Sequence, residues 1–449
     1  MASQLTNTSK VVSEMDWKRY LIQGSGGTFG IIVLNTGLAF LVNLILARTL
    51  GAKNFGFYAY AMSWVGLLSI PALFGMDQIL IRNIAAYQAK EKWQLMCGLV
   101  TFAHRVSMAV SVIFAFLAAL FASVVTGFSK TQLLSTFGIA LSLLPLLTLI
   151  RIKQATMQGL HHVVSGQAPA MLGQPAFLIV LIALGITLGI KLSTGIAILL
   201  YGISALISLS LLSWLLYKSF PVKARSAIPA YNRRLWIKTA LPLMMLGGLQ
   251  VVNAQSGVAI LGAMKNVEEA GIYAVANRAA SVMGFALLSV NAVLAPSIAT
   301  LYANREMKKL QSIVTKSVRV VSIFSTAGLV TIVFFGSWLL SLFGPEFPRG
   351  YTALLILCGG QMINSMMGSV GQLLIMTGNE QDAAISAGAG VLVVISLNFI
   401  LIPYLGMIGA AYAATASILT WNILMAIQVR KHLKIYATVF GGWNICRNL

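Results

Sequence analysis

Runs of about 20 mostly apolar residues, the length that crosses a hydrocarbon core as a helix, recur along the whole chain. Read with that window, the sequence has about twelve: 25–47, 57–81, 100–126, 132–151, 168–190, 195–217, 237–262, 271–300, 318–343, 351–377, 383–403 and 407–429. The third and ninth begin with basic residues, so their starts are the least defined. The pattern predicts an all-α integral membrane protein with about 12 transmembrane helices. The first 23 residues are polar, and no small-residue cleavage motif follows the first apolar run. That run is therefore expected to stay as the first helix rather than to be removed as a signal peptide.

Composition agrees with the pattern. Of 449 residues, 58% are hydrophobic and 9% charged, with a mean hydropathy of +0.86. Soluble domains carry roughly 25% charged residues, so most of this surface must face lipid. The net charge of +21 would suit a nucleic-acid binder if it were clustered on one soluble face. Instead the basic residues sit in short segments between spans, and nucleic acid is not expected as a partner. One side receives Lys10, Lys18 and Arg19, then Arg82, Lys90 and Lys92, then Arg151 and Lys153. It also receives the six basic residues from Lys218 to Lys238, five from Arg305 to Arg319, and Arg430, Lys431, Lys434 and Arg447. The other side holds Arg48, Lys53, Lys130, Lys191, Lys265 and Arg349. Positive charge stays on the cytoplasmic side of membrane helices, so both termini are expected there. The acidic connection at Glu380 and Asp382 also falls on that side, and acids carry little weight in the rule. Cys97, Cys358 and Cys446 are too far apart for a disulfide framework or a metal spacing.

The two halves repeat each other. Residues 55–61 (Phe-Gly-Phe-Tyr-Ala-Tyr-Ala) resemble 270–276 (Ala-Gly-Ile-Tyr-Ala-Val-Ala), and the same offset of 215 pairs Tyr87 with Tyr302 and Glu91 with Glu306. An offset of 211 pairs Gly195 with Gly406 and Tyr201 with Tyr412. Six spans per copy is an even number, so both copies enter the membrane from the same side, as parallel repeats. Such repeats rock against each other around a site at their interface. The expected organisation is a six-helix lobe over 1–217, a basic cytoplasmic linker over 218–236 containing Pro221 and Pro229, and a second lobe with a cytoplasmic tail over 237–449.

Ionisable groups inside a membrane are costly, so each needs a reason. Arg278 lies about a third of the way into the eighth span. It fits either a contact for an anionic group in an internal cavity or a side chain that snorkels to the headgroups. Arg48, at the outer end of the first span, has the same two roles open to it. Asp77 is the one acid placed within a span, which makes it the candidate for ion coupling; a structural pairing near Arg82 is the other reading. Asn35 and Asn43 are eight residues apart and share a helix face, while Gln250, Asn253 and Gln255 crowd the seventh span. These amides fit a sugar or phosphate, and they also fit helix–helix packing. Gln361, Asn364 and Gln372 in the tenth span leave the same choice. His161-His162 lacks further ligands and reads as a cytoplasmic loop. No phosphate-binding loop of the Gly-x-x-x-x-Gly-Lys-Ser/Thr kind occurs, and no large outer loop with paired acids suggests a glycosyltransferase, ligase or polymerase. Neither an enzyme activity nor a cofactor is expected.

The stretch Ala47-Arg48-Thr49-Leu50-Gly51, Phe55-Gly56-Phe57-Tyr58, Phe74-Gly75-Met76-Asp77 and Arg82 resembles the opening of bacterial repeat-unit (Wzx-type) flippases. These form part of the polysaccharide-transporter branch of the multidrug/oligosaccharidyl-lipid/polysaccharide exporters. The second half agrees in Ala270-Gly271-Ile272-Tyr273 with Arg278, Phe343-Gly344-Pro345-Glu346-Phe347, Thr377-Gly378-Asn379 and Gly406-Met407-Ile408-Gly409-Ala410-Ala411. The resemblance implies a protein of the bacterial inner membrane that flips an undecaprenyl-pyrophosphate-linked oligosaccharide to the outer leaflet for O-antigen or capsule-like polysaccharide. Its partners would be the lipid-linked glycan, membrane lipids, and a polymerase and chain-length regulator of the same pathway. Members often carry an acid late in the seventh span, where this chain has Ser256-Gly257; that leaves Asp77 as the coupling candidate. Arg278, Arg48, Asn43, Asn253 and Gln250 are the candidate substrate contacts. Two other readings remain: a multidrug or small-molecule cation antiporter, which should line its cavity with acids, and a scaffold for a polysaccharide assembly complex.

Overall fold

The computed structural model describes residues 5–126 and 131–439. Lys130, Cys446 and Arg447 lie outside the described residues, as do the side chains of Lys10, Lys18 and Arg19. Every regular element among the described residues is a helix. Lipid offers no hydrogen bonds, so an apolar segment that crosses it must pair its backbone internally, and a helix does so within one segment.

Ten of the helices are long and apolar enough to cross a bilayer, and the pair Phe347–Met367 and Val370–Met376, bent by 44°, forms an eleventh span. The twelfth is hidden in the longest helix. Leu5–Leu73 is interrupted at Gly51, whose φ of 74° and ψ of 166° leave the helical region. A side chain there would be strained, and glycine has no such penalty. Its apolar part, Gly30–Leu73, therefore makes two crossings, over 30–50 and 52–73. The remaining spans are Trp93–Ser123, Ser135–Gly159, Val163–Thr187, Thr194–Ser219, Arg233–Met264, Val267–Asn291, Met307–Ser341, Glu380–Leu405 and Met407–Leu433. They form two six-helix lobes, spans 1–6 and 7–12.

Most helices overrun the apolar windows, because hydropathy marks where lipid begins and a helix ends only where its hydrogen bonding ends. The second span differs the other way. It stops at Leu73, and Phe74 and Gly75 both take positive φ. The chain then starts a separate helix, Met76–Ala89, which buries Met76, Ile79, Leu80 and Ile84. Asp77 thus lies in the first turn of this connecting helix rather than within a span, which corrects the expected boundary at 81.

The connections after even-numbered spans lie on one face, here the basic face; those after odd-numbered spans lie on the opposite face. The acids on the basic face have a local reason. Glu380 and Asp382 occupy the first turn of the eleventh span, where the helix dipole favours negative charge. Asp382 also pairs with His432 at 2.9 Å.

The cores show how the lobes meet. Toward the opposite face the two lobes share one core, which joins Leu46, Ala47, Phe55 and Ala61 to Leu261, Ala270, Tyr273, Phe343 and Phe347. Toward the basic face each lobe has its own core. One runs from Met76 to Ala240, and the other gathers Leu294, Leu310, Val318, Leu373 and Val429. The first of these borrows the start of the seventh span. Trp236 is fully buried in the N-terminal lobe's core, and its Nε1 donates to the Tyr87 hydroxyl at 3.1 Å.

Repeat-related residues make the seal at the opposite face. Gly56 and Gly271, 215 positions apart, meet backbone to backbone: a Cβ on Gly271 would stand 2.7 Å from the Gly56 Cα. Beside them the Ala52 amide donates to Glu346 Oε2 at 2.8 Å, tying the N-terminal lobe to the C-terminal one. Phe55 packs edge-on against Phe347, with ring centroids 6.1 Å apart, and Phe40 does so against Phe343 at 5.3 Å. The Phe-Gly-Pro-Glu-Phe segment is thus the C-terminal lobe's half of the seal. Inside each lobe an equivalent junction recurs. Thr194 Oγ1 donates to the Asn54 carbonyl, and the Met407 amide donates to Glu269 Oε2, each at 3.2 Å. Asn54 and Glu269 are again 215 positions apart.

Candidate functional site

A cavity of about 560 Å³ lies between the lobes. Its wall follows the second span from Tyr58 to Leu73, which at 1.5 Å per residue is roughly 22 Å of depth. It ends at the Gly56–Gly271 contact, so the seal closes it toward the opposite face.

The polar wall comes mainly from the N-terminal lobe. The first span contributes Asn35 and Asn43, the second Tyr58, Ser63 and Ser69, the fourth Thr148, Arg151 and Gln154, the fifth Gln174 and the sixth Tyr201. Helical spacing explains the selection. Asn35, Ala39, Val42 and Asn43 recur at one-turn and two-turn intervals, as do Leu147, Thr148, Arg151 and Gln154, so each set lies on one face. The C-terminal lobe adds Gln255, Val258, Ala274 and Arg278. Arg151 and Arg278 are both exposed and both line this cavity, so their guanidinium groups face its interior. Among the described residues no carboxylate lines it, and neither arginine forms an ion pair. The site is a neutral hydrogen-bonding wall with two free cations. It is suited to an anionic group attached to a hydroxyl-rich one and unsuited to an organic cation.

Of the five candidate contacts expected from sequence, Arg278 and Asn43 reach the cavity, and so do the neighbouring amides Asn35 and Gln255. Asn43 keeps its Nδ2 on the Ala39 carbonyl at 2.6 Å, which leaves its Oδ1 as the free atom. Arg48 is exposed next to Thr49 and Leu50 at the opposite-face end of the first span and is not part of the lining. Gln250 is exposed and also outside the lining. Asn253 accepts from Ser417 Oγ at 3.5 Å and so joins the seventh span to the twelfth. Asp77 is half-buried on the connecting helix, where its neighbour Gln78 donates to it at 3.4 Å, and it does not line the cavity.

Arg151, Gln154, Gln174, Tyr58 and Tyr201 are the residues that sequence reading missed. The apolar window ends at Arg151, so its charge counts with the basic face in the sequence, whereas the helix runs on to Gly159. The signal that could have found it is the Thr148, Arg151, Gln154 spacing, a polar stripe continuing the apolar face. Two amides of the tenth span, Gln361 and Asn364, have partners inside the C-terminal lobe: Asn364 Nδ2 donates to Gln361 Oε1 at 3.4 Å, and Asn422 Nδ2 donates to Asn364 Oδ1 at 2.8 Å.

Solved structures with this architecture belong to membrane transporters. The chain superposes on the inward-facing conformation of a multidrug resistance MATE family transporter of the MOP superfamily with a TM-score of 0.71 at 14% identity, over 89% of this chain and 94% of that one. It superposes on the lipid II flippase MurJ in its inward closed conformation with a TM-score of 0.72 at 14% identity, over 90% and 87%. These likenesses establish the twelve-helix, two-lobe fold. Among curated proteins, the probable low-salt glycan biosynthesis flippase Agl15 of Haloferax volcanii is 24% identical over 190 residues, 41% of this chain. The matched region spans about 40% of the length of that relative. Residues 21–302, well over half of the sequence, match the family model described as polysaccharide biosynthesis protein, and the chain belongs to that family.

Proposed function

We propose that this protein flips a polyprenyl-pyrophosphate-linked oligosaccharide across the membrane by alternating access, with undecaprenyl as the lipid in a bacterial inner membrane. The observation that carries the reading is the pair of arginines, Arg151 and Arg278, without an ion pair, in a cavity whose other polar lining among the described residues is amides and hydroxyls. A sugar headgroup cannot cross hydrocarbon unaided, because each polar group that loses its hydrogen bonds costs several kcal/mol. A cavity between two lobes removes that barrier for the headgroup while the apolar tail remains in lipid. The guanidinium groups are the natural contacts for the pyrophosphate, since Arg presents a planar fork of donors to phosphate oxygens.

In this reading the basic face is cytoplasmic and the cavity receives the substrate from that side. Residues 1–217 and 237–449 are the moving lobes, joined by the basic segment 218–236. Rocking would break the Gly56–Gly271 seal and open the opposite face. The product would feed surface polysaccharide assembly of the O-antigen or capsule kind, alongside a polymerase and a chain-length regulator.

The reading is tested in proteoliposomes loaded with a fluorescent undecaprenyl-pyrophosphate-linked glycan, scored by exposure of the sugar to a membrane-impermeant oxidant. Arg278→Ala and Arg151→Ala should each slow flipping at least tenfold at equal protein levels, since a hydrogen bond to a charged group contributes about 1.5–3 kcal/mol. Wild-type rates in both variants would overturn it. The likeness to a MATE transporter makes cation export the competing activity. The absence of a carboxylate from the lining counts against it, and energised uptake of rhodamine 6G by the same vesicles would favour it.

A further inference from the structure

The fifth span carries a departure from helical regularity at the cavity wall. Pro169–Gly173 forms a π-helical turn, in which the Gln174 amide donates to the Pro169 carbonyl five residues back. Such turns are rare, and they occur mostly at functional sites because the extra residue re-aims the side chains that follow. Here they bring Ala170, Met171 and Gln174 to the cavity together.

Gln174 is the consequential residue of the three. It is 8% exposed and lines the cavity. Its amide lies beside the Tyr201 hydroxyl and faces it as a donor, but the contact falls short of full hydrogen-bonding geometry and no other acceptor meets Nε2. Buried donors are nearly always paired, and an unpaired one is costly. A buried amide turned into a cavity wall by an irregular helical turn, with its donor met only by a poorly aligned phenol, has the properties of a ligand contact. The phenol of Tyr201 stands beside it, with Tyr58 next to Tyr201, and Gln154, 5% exposed, lines the same cavity. This corner bears amides and hydroxyls and no carboxylate, so it offers hydrogen bonds to a neutral polyhydroxyl group.

We infer that Gln174, supported by Gln154 and Tyr201, reads the sugar nearest the pyrophosphate: Nε2 donates to a ring-substituent oxygen of that sugar while the arginines hold the phosphates. This rests on the flippase reading above and extends it, by separating the part of the wall that selects the glycan from the part that binds the lipid phosphate. Gln174 is then a specificity-determining residue, and sugar-free lipid should not sense its loss.

The test measures binding by native mass spectrometry in nanodiscs with two probes, undecaprenyl pyrophosphate and the same lipid carrying one N-acetylhexosamine. Wild-type protein should bind the glycosylated lipid about tenfold more tightly, the size of one well-placed hydrogen bond. Gln174→Met, an apolar substitution of similar length, should bring the two affinities within about twofold while leaving that for the bare lipid unchanged. Arg278→Ala should weaken both equally. The inference is overturned if Gln174→Met keeps the sugar preference, if it weakens both probes alike, or if wild-type protein shows no preference. Should Gln174→Met fail to fold, Gln154→Met carries the same comparison with the same outcomes. Absence of any wild-type affinity for either lipid removes the flippase reading itself, and this inference with it.

Discussion

The seal at the opposite face makes a demanding prediction about Gly271. A Cβ added there would lie 2.7 Å from the Gly56 Cα, 2.8 Å from its nitrogen and 2.9 Å from the Ala52 carbonyl oxygen. All three are backbone atoms, so no flexible side chain can turn aside. Ordinary carbon contacts sit at about 3.5–4.0 Å, so Gly271→Ala must separate the second and eighth spans by about 1 Å at their closest point. Overpacking of this kind costs about 1–3 kcal/mol. Only the arrangement closed at the opposite face bears that cost, so the ratio of open to closed should rise about 5–150-fold. Spin labels at exposed Lys191 and Arg349, one in each lobe on that face, would report it by pulsed dipolar spectroscopy. The distance distribution should lengthen in Gly271→Ala and stay unchanged in Gly138→Ala, where a Cβ meets nothing within 4 Å. A wild-type distribution in Gly271→Ala would refute the view that these glycines hold the lobes together. A lower melting temperature without any lengthening would refute it too, since the cost would then be one of folding alone.

Two further substitutions separate sealing from coupling. Glu346→Ala removes the acceptor of the Ala52 amide at the start of the second span; loss of a side-chain cap costs about 1 kcal/mol, so the same labels should show a several-fold gain of the open form. Asp77→Asn should leave the flipping rate in proteoliposomes near wild type, because Asp77 does not line the cavity; it should lower thermal stability only by the roughly 0.3–1 kcal/mol of a charge in a helix's first turn.

The twelve crossings were legible in the sequence because each is an uninterrupted apolar run, and the duplication was legible because glycines and tyrosines keep their spacing. The site was less so. Hydropathy windows end at charges, so they make Arg151 the last residue of the fourth span, although its helix continues for two more turns. The same windows carried Asp77 into the second span, because the break at Phe74-Gly75 depends on backbone angles and leaves the run apolar. Amides are ambiguous for a different reason. Asn43 and Asn253 look alike in sequence, and only packing puts one against a cavity and the other against Ser417. The π-helical turn that aims Gln174 has two prolines near it and no periodicity signal of its own.

The two copies of the repeat have diverged in what they do with polar groups, and this leads to a reciprocal prediction. Position 278 is Arg and its counterpart, 215 residues earlier, is Ser63; both line the cavity. Elsewhere several polar side chains of the C-terminal lobe find their partners within that lobe. Asn422 donates to Asn364, Ser325 to Ser365, and Ser417 to the Gly390 carbonyl at 2.7 Å. The N-terminal lobe instead opens Gln154 and Gln174 to the cavity, with no side-chain partner closing the Gln174 donor. One copy is thus packed shut and the other is hollow. Hydrogen bonds between membrane helices contribute about 0.6 kcal/mol on average and up to about 1.7, so Asn364→Leu should lower thermal stability by that order and leave the flipping rate per folded molecule near wild type. Gln154→Leu breaks no bond of comparable worth, and it should leave stability near wild type while slowing flipping several-fold. Paired melting curves and vesicle assays on the two variants decide it. If Asn364→Leu impairs flipping as much as Gln154→Leu at matched folding, the C-terminal lobe contributes to the site directly and the division of labour between the copies is wrong.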